Sequence, residues 1–216
     1  MKTSSVSLGL LLSISAASIT FFSGCVSKTY EKADATALSL QASADLVQET
    51  RTQLSSLSDS LVLLRRYEEL AMHYDSFTAQ ADLFQKNAAK LADSALAMQR
   101  KGAAYFNQWQ NDLEKIKNPA LRVSSSARLS EVSSSFAGIK TQYDETSRTL
   151  IPFQADIKDI RTALGADLTP AGQATVQPFI QRALVNIEPV KRSLENLATE
   201  YSNLGVSLGA TPASQP

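Results

Sequence analysis

Between Val26 and Lys101 the chain contains neither glycine nor proline. The two residues that punctuate a polypeptide are missing over a stretch far longer than any ordinary strand or loop. The residues that fill it, chiefly Ala, Leu, Gln, Glu and Lys, lose little conformational freedom in a helix. Long helices are what such a segment forms. The fold class expected is all-α: an elongated antiparallel helical bundle or coiled coil.

Spacing fixes the helices. Apolar residues recur at three and four along Ala81, Phe84, Ala88, Leu91, Ala95 and Met98, then Phe106, Trp109, Leu113 and Ile116. One heptad line is alanine and the other is large, which predicts close packing of two antiparallel helices. The step from Met98 through Gly102 to Phe106 is four plus four, a stutter that shifts the supercoil locally. Upstream, Leu40, Val47, Leu54 and Leu61 form one line, and Leu57, Leu64 and Ala71 a second in shifted phase. The serine-rich run Ser55 to Ser60 between them can turn its side chains onto the backbone, so the helix is expected to break there.

Asn118-Pro119 punctuates clearly, because the residue before proline is pushed out of the helical region. Beyond it lies the cleanest pattern in the chain. Leu129, Phe136, Tyr143, Leu150, Ile157 and Leu164 alternate with Val132, Ile139, Thr146, Phe153 and Ile160, a coiled-coil-like seam. Pro152 falls inside it and should kink that helix or start a new one. Gly165 ends it, and Thr169-Pro170 opens the next as N-cap and first-turn proline. The last helix buries Leu184, Ile187, Val190, Leu194, Leu197, Tyr201 and Leu204; Pro178 and Pro189 should make it irregular, and Gly205 should stop it.

The expected organisation is therefore a leader over 1–24, an anchor and linker over 25–30, a bundle over 31–205 and a disordered tail over 206–216. Helices are expected at about 31–58, 64–117, 120–165 and 169–205. Without the break near Ser58, one helix from Tyr30 to Lys117 would make a three-helix rod. A seam left uncovered within one chain would bury itself against a second copy.

The leader has three parts. Lys2 is the positive start, an apolar run follows from Val6 to Phe22, and Ser23-Gly24 precede Cys25. A secretory signal has this shape, and the run is too short and serine-rich for a membrane span. The single cysteine has no partner for an intramolecular disulfide. Its position resembles that of the bacterial lipoprotein signal, in which the cysteine is acylated and becomes the first mature residue. Phe22 stands where leucine is usual. Val26 in place of aspartate implies, by resemblance to enterobacterial sorting, the periplasmic face of the outer membrane. Acyl chains contributing about 0.8 kcal/mol per buried CH₂ hold durably. From Cys25 to Tyr30 the chain spans at most roughly 15–20 Å.

Several local patterns are similar to an uncharacterised bacterial lipoprotein family, domain of unknown function 2959. They are Tyr67-x-x-Leu70-x-x-x-Tyr74, Phe106-x-x-Trp109-x-x-x-Leu113, and Asn118-x-x-Leu121-Arg122-x-Ser124-Ser125. Downstream come Ile151-Pro152-Phe153, Asp156-Ile157-x-Asp159-Ile160-Arg161 and Asp167-Leu168-Thr169-Pro170. The resemblance runs from about Tyr30 to Leu204. It implies an exported, all-helical, coiled-coil-forming lipoprotein and supplies no activity and no site residues. Members carry a glycine-containing loop just before the position of Tyr67; this chain has no glycine there.

Composition closes off most chemistry. With 21 Lys plus Arg against 21 Asp plus Glu, nothing favours a nucleic-acid backbone. One Cys and one His leave no zinc set, and His73 is expected at a solvated or partly packed helix position. Asp156 and Asp159 share a helix face and could grip a hard cation, but a solvated charged face is the expected reading. Asp144 with Arg148 and Glu188 with Arg192 have surface-pair spacing. Trp109 and Phe106 fit the seam and are expected in the core, whereas Tyr105 falls off it as a surface contact. The serines from Ser124 to Ser135 lack any nearby base.

No catalytic, metal or cofactor-binding residue is expected, no cofactor and no small-molecule substrate. The one site residue is Cys25, for lipidation. The function expected is non-enzymatic: a lipid-anchored envelope protein acting as a structural or protein-interaction coiled-coil module. The alternative is a periplasmic adaptor or chaperone-like binder of envelope proteins or lipids. Partners expected are the membrane, a second copy or another envelope protein.

Overall fold

Two helix starts follow directly from their caps. Asn118 accepts a hydrogen bond from the Leu121 amide at 3.2 Å, and Thr169 accepts one from the Gly172 amide at 3.2 Å. In each case proline follows at the first helical position, where its missing N–H is no loss. The computed structural model describes residues 29–208. Among the described residues there are four helices: α1 (Thr29–Leu63), α2 (Leu70–Leu113), α3 (Pro119–Ala166) and α4 (Pro170–Ser207). Their 35 to 48 residues correspond to roughly 52–72 Å of helix.

Each helix packs against two others, in the order α1, α2, α3, α4 and back to α1, with no diagonal packing. This is an antiparallel four-helix bundle around one continuous apolar core. The α3 seam is buried residue by residue as its spacing predicts, with Tyr143 alone half-buried. It is covered within the chain, by α4 and α2, and is not left open for a second copy. Thr146, fully buried in that seam, donates to the carbonyls of Gln142 and Ser193. Beside the alanine line of α2, the Ser94 hydroxyl lies 2.8 Å from that of Ser43 on α1.

The break between α1 and α2 is real but lies elsewhere. Helix α1 runs through Ser55 to Ser60 and ends at Leu63, and the turn occupies 64–69. The serines do not compete with the helix, because Ser56 and Ser60 donate to Thr52 and Leu57 carbonyls within it. Leu57 and Leu61 are fully buried alongside, so packing decides. The three-helix rod is thereby excluded. Helix α2 starts at Leu70 and stops at Leu113, shorter at both ends than its pattern suggests.

Two devices hold the turn without glycine or proline. Glu69 adopts the left-handed conformation, φ 56° and ψ 31°, which glycine ordinarily supplies. Gln173, fully buried at the start of α4, donates to the carbonyls of Leu64 at 2.7 Å and Arg66 at 3.1 Å. It thus satisfies acceptors that a helix end leaves open. Glu69→Gly should raise stability by about 0.5–1 kcal/mol by relieving the backbone. Urea unfolding would check this, and a loss would mean that the glutamate side chain has a role in the turn.

The interior prolines neither end a helix nor start one. Pro152 lies within α3, and Pro178 and Pro189 within α4, all on exposed faces. There, a carbonyl freed four residues earlier can turn to solvent. Gly205 does not stop α4; it is buried inside the last turns, which continue to Ser207.

Candidate functional site

One end of the bundle gathers the start of α1, the end of α2, the start of α3 and the end of α4. An open depression of about 410 Å³ lies there, lined by Tyr30, Tyr105, Trp109, Leu113, Ile116 and Ser125 among others. The Trp109 indole donates to the Ser125 hydroxyl at 3.2 Å. The Tyr105 ring lies 5.3 Å from Phe106 and 5.5 Å from Trp109.

Tyr105 does not sit on the surface as its spacing suggested; it is buried. Past the Gly102 stutter, Tyr105 turns inward and lines the depression together with Thr29 and Ala33 of α1. Phe106 and Trp109 pack against the core, half-buried, as expected. Burial raises the Tyr105 pKa, with Arg128 opposing in part. Tyr201 is fully buried in α4, and its hydroxyl finds no hydrogen-bond partner among the described residues. Burial first, and then the neighbouring Tyr143, push its pKa up. Both phenols stay neutral at physiological pH, so neither supplies a base.

His73 is buried, not solvated. It stands near the start of α2 at the opposite end of the bundle, roughly 54 Å of helix from Trp109. The serines of α3 are therefore far from the only imidazole in the sequence. They form a mostly exposed polar face, with Ser133 and Ser135 bonded to carbonyls of their own helix.

Asp156 pairs across to α4, at 2.7 Å from Arg182 and 3.5 Å from Asn186. The Arg182 guanidinium also lies over the Phe179 ring, 5.3 Å from its centroid. Asp159 is exposed beside them on the rim of a cleft of about 180 Å³. These carboxylates form a paired charged face, and no group of three or more metal-ligating side chains exists among the described residues. Two surface pairs differ from their spacing. Asp144 bonds Lys140 at 2.7 Å, and Glu188 lies 3.6 Å from Lys191. An exposed pair is worth only about 0.2–1 kcal/mol, so sequence spacing does not choose between partners.

Cys25 lies outside the described residues, as do the leader and the segment beyond 208. Among the described residues no helix is long and apolar enough to cross a membrane. Spacing did not single out Gln173 or the exposed pair Leu121 and Val123. A buried amide that caps a distant helix has no local signature, and the apolar pair stands off the seam among arginine and serine. No curated protein and no solved structure matches the chain. A family model described as "Protein of unknown function (DUF2959)" matches residues 21–201, and the chain belongs to that family.

Proposed function

We propose that the protein is a non-enzymatic, lipid-anchored envelope protein, acylated at Cys25 and held at the periplasmic face of the outer membrane. There it acts as a rigid structural or protein-interaction module. The observation that carries this reading is the placement of Cys25. It ends a secretory-type leader only four residues before α1 begins, at one end of a bundle whose helices reach about 72 Å. Such a body works through reach and surface: it fixes a distance from the membrane or presents helix faces to another envelope protein. Several acyl chains, each contributing about 0.8 kcal/mol per buried CH₂, would make the attachment permanent on a cellular timescale.

Cys25→Ala should move the protein from the membrane pellet to the soluble periplasmic fraction, read by fractionation and immunoblot. Continued pelleting after a high-salt wash, which screens electrostatic attachment, would overturn the anchor.

A second reading, an adaptor or chaperone-like binder, is favoured by exposed apolar residues on every helix: Leu38, Leu96, Ile151 and Val185 are each more than half exposed. Ile151 lines a shallow cleft between α2 and α3, beside Ala88 and Tyr143.

A further inference from the structure

The end of the bundle nearest Cys25 differs from the other in the charge that stands beside its exposed apolar residues. Leu121 and Val123, in the first turn of α3, are 59% and 70% exposed, and Tyr30 and Val206 at the same end are 63% and 50% exposed. Arg122 stands between the first two, and Lys117 lies in the turn just before; both are exposed and, among the described residues, unpaired. Between Asp112 and Arg128 four cations face two carboxylates, and the first turns of α1 at the same end add Lys32 with Glu31 and Asp34. At the opposite end Val62, Tyr67, Met72 and Leu168 are 38–58% exposed as well, but there Arg65 and Arg66 are outnumbered by Glu68, Glu69 and Asp167.

Apolar side chains that project beside cations, with aromatic rings behind them, are what a membrane interface receives. Apolar tips enter the headgroup layer, long basic side chains bind phosphates, and tyrosine and tryptophan sit at the boundary. Chain length says which surface lies opposite. Cys25 is four residues before Thr29, so an acylated Cys25 holds the bilayer within about 15 Å of this end.

We infer that the α2–α3 turn and the first turn of α3 form a second, non-covalent membrane contact. Leu121 and Val123 dip into the headgroup layer of a bilayer containing anionic phospholipid, while Lys117 and Arg122 bind its phosphates. The inference rests on the anchor reading above and deepens it. With two contacts at one end the bundle stands upright, and the turn at 64–69 becomes its far tip.

The full chain, purified with its lipid and placed in phosphatidylethanolamine–phosphatidylglycerol vesicles, tests the orientation. Val123→Cys labelled with an environment-sensitive dye should emit to the blue and be quenched by brominated lipid. The same label at Tyr67→Cys should emit as in water. Water-like emission from both positions overturns the proposal, and so does equal quenching at both.

A second measurement separates this surface from the anchor. The chain starting at Ser27 lacks Cys25 but retains every core residue among the described residues, from Leu40 to Leu208. Its affinity for phosphatidylglycerol vesicles should fall about thirtyfold in Lys117→Ala with Arg122→Ala, a factor of about five for each cation at an anionic surface. An unchanged affinity, or equal binding to neutral phosphatidylcholine vesicles, overturns the headgroup contact. In cells, fractionation of Cys25→Ala combined with Lys117→Ala and Arg122→Ala, which removes the headgroup contact, reports on the anchor alone.

Discussion

Phe84→Ala is expected to lower the stability of the bundle by about 3–5 kcal/mol, the usual range for removing a sealed aromatic ring. Phe84 on α2 and Phe153 on α3 meet edge to face, with centroids 5.7 Å apart and planes at 84°. Both are at most 1% exposed. Rings so placed gain from the contact of a positive edge with a negative face, as well as from leaving water. Truncating one leaves a cavity between helices that the remaining core holds apart, so little of it can collapse. For a domain of this size, thermal unfolding should shift down by roughly 10 °C. The double variant with Phe153→Ala should be less than additive by about 0.5–1.5 kcal/mol, the share that belongs to the pair itself. A single-variant loss below about 1 kcal/mol would mean that the site refills, and the sealed-core account of this layer would fail.

Gly102→Ala should also destabilise, by about 1–3 kcal/mol, although helix propensity alone favours alanine by about 1 kcal/mol. The two effects have opposite signs, so the outcome is decisive. A Cβ at Gly102 would stand 2.1 Å from Cζ of Phe136 and within 2.7 Å of two more ring carbons. The ring cannot simply swing aside, because Phe106 holds it edge-on at 5.2 Å. Phe136→Leu makes room, so Gly102→Ala combined with it should lose less than the sum of the two single changes. Urea unfolding of the four proteins measures this cycle. A gain in stability from Gly102→Ala would mean that Phe136 does not rest on that glycine.

The elements legible in the sequence are those whose signals are local. The α3 seam could be read from Leu129 to Leu164 because period and burial coincide. The starts of α3 and α4 could be read because Asn118-Pro119 and Thr169-Pro170 carry cap and proline together. The α1–α2 turn could not be placed. Its residues are all acceptable in a helix, and what ends α1 comes from Gln173, more than a hundred residues downstream. Glu69 in a left-handed conformation leaves no trace in composition. Tyr105 was misplaced because past the Gly102 stutter the inward direction shifts away from the heptad spacing that precedes it. For the candidate site, Cys25 is marked by the leader before it. The exposed pair Leu121 and Val123 is not, since an outward apolar residue carries no pattern until its helix is packed.

The amide of Gln173 has a consequence for the order of assembly. Three of the four seams join helices that are consecutive in the chain and can zip from a short turn. The α1–α4 seam alone joins the two ends, and the Gln173 bond to Leu64 spans 109 residues. Closing a loop of that length costs about 2.5 kcal/mol more in chain entropy than closing one of six residues. That loss falls before any α1–α4 contact repays it, so the ring of helices shuts late in folding.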